Sequence, residues 1–171
     1  MKLSKTERWI LSNQYRILEA LYPDEAMDLT RGRKALEMGY ELEYSSITRH
    51  IIDDADVMSG EECREILDIL TMFSRVHRVV DGQSLSSIDP EAIRFHGFDG
   101  NHEGKQLEYA EYFCVEHDRF SNIRPHDFNC HTPMMDRYRR QLVAFNQSAD
   151  KAHLAPEDIE RIASTAYLFR E

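Results

Sequence analysis

The sequence predicts an all-α fold, a compact orthogonal packing of about seven helices with at most one short extended segment. Three observations point there. Apolar residues recur at helical spacing along most of the chain. Two Ser-x-x-Glu patterns, Ser4 to Glu7 and Ser59 to Glu62, each precede such a run as capping boxes. Glycine and proline number only 7 and 5, and several fall where the periodic runs stop.

The first helix runs from Ser4 to about Leu21. Ile10, Leu11, Ile17, Leu18 and Leu21 form a wide apolar stripe on it, and Pro23 ends it. A second spans Glu25 to Met38, with sparse apolar residues and Gly39 as its left-handed stop. A short third is expected over Ser46 to Ile52. The fourth, from Ser59 to about Val80, is apolar over much of its circumference, so it belongs at the centre of the core, and Asp81-Gly82 marks its end. The segment Ala92 to Phe98 reads as short and extended. Asp99 then reads as the N-cap of a fifth helix reaching about His117. Phe120 to His131 is a loop. Thr132-Pro133 opens a sixth helix and Ala155-Pro156 a seventh.

The 171 residues suit a single domain, 1–171, large enough to hold a core without covalent staples. The formal charge of -10 disfavours nucleic acid as a partner. The acids are concentrated between Ile51 and Leu70, where Arg64 is the only base, and read as a solvated face. The 3 cysteines are too few and too widely spaced for a disulfide framework, so reduced thiols in a cytoplasmic protein are expected. No apolar run has the length of a membrane span, and Met1 to Glu7 carries no signal-peptide core.

Several stretches in order carry a resemblance. They are Leu11-Ser12-Asn13-Gln14-Tyr15, Gly39-Tyr40, Cys63 through Met72, Gly97-Phe98-Asp99 followed by Glu103, Phe128-Asn129, and Thr132-Pro133-Met134 with Tyr138. Together they resemble the YfbU family over nearly the whole chain. The resemblance implies a bacterial cytoplasmic protein with a compact helical fold that self-associates. It implies no reaction and carries no catalytic residue. Nor does it require Cys114, Cys130 or His131.

Three constellations could carry chemistry. Cys114, His117, His126 and Cys130 offer two close pairs of zinc-type donors, with His96 and His131 as spares. Against a metal, Cys114 lies in register with Leu107 and Ala110, where a thiol packs as a small apolar group. Asp99, Glu103, His126, Asp127 and Asn129 offer carboxylates near a histidine, as general acid–base catalysis requires. Each also has a structural use in caps and turns. On the first helix, Gln14 is four residues from both Ile10 and Leu18, so it is expected to point inward and hold a structural hydrogen bond. Trp9, Tyr15 and Tyr22 join it as candidate interaction residues, and His77 is expected in the core. The chain has no phosphate loop, no G-x-S-x-G, no H-E-x-x-H and no C-x-x-C.

The function expected first is a non-enzymatic helical module that binds itself and an unidentified protein, without a cofactor or a membrane. A metal-assisted hydrolase using the 96–131 region, with zinc, is the alternative. A helix-turn-helix regulator reading DNA through Ser45 to Ile52 is third.

Overall fold

The computed structural model describes residues 2–81 and 88–167. Seven α-helices and five single-turn 3-10 segments make up its regular structure, and no strand occurs among the described residues. The all-α expectation is met. The chain divides into two compact units, Met1–Val57 and Met58–Glu171.

In the first unit, α1 (Lys5–Leu21) and α2 (Ala26–Met38) pack together, followed by the one-turn α3 (Tyr44–Ile47). Ser4 and Glu7 form the expected capping box, at 3.3 Å and 2.7 Å. Gly39 ends α2 in the left-handed conformation. The third helix is shorter than expected, spanning Tyr44–Ile47 rather than Ser46 to Ile52.

The packing of α1 reverses the sequence expectation. Its inward face is polar. Arg8 donates to the carbonyl of Leu36 at 3.2 Å, and Ser12 donates to Glu37 at 3.1 Å. Arg33 on α2 pairs with Glu19 at 2.9 Å and with Glu37. Arg16 and Arg33 together hold the Glu37 carboxyl below its ordinary range. Tyr15 lies over Gly32, where an added Cβ would stand 2.7 Å from the ring.

In the second unit, α4 (Gly60–Val80), α5 (Gly104–Val115), α6 (Met135–Asn146) and α7 (Pro156–Ser164) enclose one hydrophobic core. The Ser59–Glu62 capping box starts α4 as expected. Ile66, Ile69, Leu70, Met72, Phe73 and Val76 on α4 are all buried. This bears out the central position of the helix. Asp81 is its C-cap, and Gly82 lies outside the described residues. His77, expected in the core, is exposed, because it sits in the last turn of α4 on the wall of a surface cavity.

An aromatic cluster links α4 and α6 to the segment between the single-turn 3-10 segment Pro90–Ala92 and α5. Phe73, Phe95 and Phe98 surround Tyr138, with ring centroids 5.0–5.6 Å from it. The Tyr138 hydroxyl accepts from the His96 amide at 3.0 Å and donates to the Gly97 carbonyl at 3.1 Å. The expected extended segment reduces to one isolated parallel bridge, Phe98 with Asn129. There the Phe98 amide donates to Phe128 at 2.8 Å, and the Cys130 amide donates to Phe98 at 3.0 Å.

Candidate functional site

The outer face of α1 is the most distinctive surface on the chain. Trp9, Ile10, Ile17 and Leu21 are exposed by 66%, 49%, 61% and 64%. Leu18 and Tyr22 are exposed beside them. Of the stripe expected to face the core, Leu11 is half-buried and Ile10, Ile17, Leu18 and Leu21 face outward. The cause is tertiary. Arg8, Ser12 and Glu19 find fixed polar partners on α2, and a helix can present only one face to a neighbour. Gln14 is exposed on this outer face, which corrects its expected burial. Trp9, Gln14 and Tyr22 are each exposed, while Tyr15 is half-buried against Gly32.

Positions 10, 14, 17 and 21 repeat at intervals of four, three and four. This is the spacing by which one helix meets another along a seam. Ile10 to Leu21 spans about 16 Å of helix axis at the standard rise. Asn13 and Ala20 flank the seam without charge. Contiguous apolar patches larger than a few hundred Å² on a folded protein mark interaction sites.

The polar constellation divides in two. Glu103 and Asp99 are buried and committed to the backbone. The Glu103 carboxylate accepts from the amides of Met134 at 2.8 Å and Met135 at 2.7 Å, and from Asp99 at 3.1 Å. It therefore caps the start of α6. The expected cap, Thr132, lies outside that helix, which begins at Met135 with Met134 as its N-cap. Asp99 is likewise not the cap of α5, which starts at Gly104. Its carboxylate pairs with His102 and accepts from the Asn101 amide at 3.1 Å, and these partners hold it below the usual carboxylate range. Asn129 accepts from the amides of Gly100 and His131.

Glu103→Gln keeps one acceptor oxygen but removes the charge at the α6 N-terminus. Its expected cost is about 2 kcal/mol, read from urea unfolding. No measurable loss would contradict the capping role.

His126, Asp127 and Asn129 line a cavity of about 220 Å³ with Glu111 and Leu107, but Asp99 and Glu103 are not in its wall. Asp127 accepts from the Asn129 amide at 2.8 Å. No carboxylate is hydrogen-bonded to His126 among the described residues. The five residues do not converge on one reactive point.

The four candidate metal ligands do not gather into one group. Cys114 is buried in the α5 face, and burial pushes its thiol up to about 11. His117 stacks on Phe113 at 5.1 Å. Cys130 donates to the Thr132 carbonyl at 3.1 Å, and burial raises its thiol as well. Among the described residues, no three His, Cys, Asp or Glu side chains are grouped to hold a metal. No helix among them is long and apolar enough to cross a membrane.

The order of motifs along the chain now meets an independent comparison. A family model described as the YfbU domain matches residues 1–165. The chain belongs to the YfbU family. The match includes every described helix of this YfbU chain, from α1 to α7, and the polar loop between α5 and α6.

Proposed function

We propose that this YfbU chain is a non-enzymatic helical interaction module that acts as a homo-oligomer, with the outer face of α1 as a contact between copies. The observation that carries this reading is the outward apolar seam of Ile10, Ile17 and Leu21, with Trp9 at its edge. A second copy suits it for three reasons. An identical helix supplies a seam of matching length and spacing, as a two-fold contact requires. The uncharged flanks spare two copies of charge -10 any repulsion along the seam itself. Gln14, the single polar residue in the seam, would fix the register by pairing across it.

The family match runs over both compact units, which supports treating residues 1–171 as one working domain. An unidentified protein partner belongs to the same reading. The described cysteines, all free, fit a cytoplasmic setting.

Light scattering on the purified protein tests the contact. The wild type is expected to have a mass above one chain, and Ile17→Glu to return it toward monomer. The exposed site should leave folding stability within about 0.5 kcal/mol. Trp9 is the only tryptophan, so its emission should shift to the red as copies separate. A wild type that stays monomeric up to ~100 μM would defeat the reading.

A further inference from the structure

The second unit carries a basic groove that neither the α1 seam nor the family match explains. In an acidic chain of 31 Asp and Glu against 21 Lys and Arg, two adjoining cavities have no carboxylate in their walls among the described residues. The first, about 250 Å³, is walled by Arg75, Arg78 and Arg119, with Thr71 and Ser121. The second, about 350 Å³, has an apolar wall of Ile93, Phe95 and Pro125, with Arg94 and Arg124 beside it. They meet at Asn122.

Local structure explains how the arginines are gathered. Thr71, Arg75 and Arg78 are spaced by four and three along α4, so they share one face. Asn122 locks the facing loop to that helix. Its amide donates to the Ser74 carbonyl at 3.1 Å, and its oxygen accepts from the Ser74 hydroxyl at 3.0 Å. Phe120 turns the loop in the left-handed region, at φ 57. Arg119 then lies 5.9 Å from the rings of both Phe113 and Phe120, which steady its guanidinium from below.

The electrostatics separate this groove from the rest of the chain. Arg16, Arg33, Arg139 and Arg161 each meet a carboxylate. Arg75, Arg78 and Arg119 make no ion pair among the described residues. The C-terminal end of α4 favours the charge of Arg78, which lies in its last turn, but that effect does not extend to Arg75 or Arg119. Three arginines lining one cavity make it favourable to an anion. Guanidinium forks match the oxygens of a phosphate in geometry as well as charge. The adjoining apolar wall offers burial to whatever the phosphate is attached to.

We propose that this groove binds a small phosphorylated molecule. Its phosphate lies among Arg75, Arg78 and Arg119, and its apolar or planar body lies against Ile93 and Pro125. The site is independent of the contact on α1, so the two readings fail separately.

Isothermal titration with inorganic phosphate and phenyl phosphate, on the full chain, tests the proposal. Phosphate is expected to bind saturably near ~1 mM, and phenyl phosphate at least tenfold more tightly and in competition with it. The double variant Arg75→Gln, Arg78→Gln should weaken both at least tenfold while retaining the wild-type helical signal. Ile93→Ser should weaken phenyl phosphate alone. Vesicles of phosphatidylglycerol and a single-stranded oligonucleotide serve as further arms. The proposal is overturned by any of three results: neither small anion saturates the protein, the double variant binds them as the wild type does, or only vesicles or the oligonucleotide bind.

Discussion

Gly97→Ala is expected to destabilise the second unit by about 4 kcal/mol or more. Gly97 has a φ of 91, a region L side chains rarely adopt. An added Cβ would also stand 2.1 Å from the carbonyl oxygen of Phe128. That oxygen accepts from the Phe98 amide, so it cannot retreat without breaking the one bridge that joins the Phe98 and Asn129 segments. The Gly97 carbonyl meanwhile receives the Tyr138 hydroxyl, which ties the aromatic cluster to the same point. Gly60→Ala is the control. Nothing lies within 4 Å of a Cβ there, and it opens α4, so it should be neutral or slightly stabilising. Urea unfolding of the two variants should separate them clearly. Equal losses would mean the close approach at Gly97 relaxes freely.

Leu70→Ala is expected to cost about 2–5 kcal/mol. Leu70 is 0% exposed, and Phe73, Ile66 and Ile69 beside it on α4 are similarly buried. Removing its branched end loses transfer energy and leaves a cavity that α4 cannot collapse around, because this helix packs against both α5 and α6. Val143→Ala on α6, where the side chain is mostly exposed, should cost far less. A Leu70→Ala loss below 1 kcal/mol would remove α4 from the centre of the core.

What the sequence made legible was local. Ser4 with Glu7, Ser59 with Glu62, and Gly39 at a left-handed stop are decided within one helical turn, and all three stand as read. The dense apolar run on α4 also left little choice of environment. What escaped the reading depends on distant partners. Ile17 and Leu21 look like core residues until Arg8 and Ser12 on the opposite face find Leu36 and Glu37. The cap of α6 comes from Glu103, about thirty residues upstream, so Thr132-Pro133 was a plausible but mistaken start. The same commitment explains why Glu103 does not join His126 in one site. Arg75 and Arg78 could have been noticed as a basic pair on the polar face of α4. Their meeting with Arg119 could not, because it needs the turn at Phe120.

The most direct test of the central claim is the native mass of the purified full chain, measured by native mass spectrometry with any bound metal retained. A multiple of the 20.1 kDa chain with no metal is expected, reduced toward one chain by Ile17→Glu. A single chain at 20.1 kDa would contradict self-association through α1, and a stoichiometric metal would return Cys114, His117, His126 and Cys130 to the centre of the function.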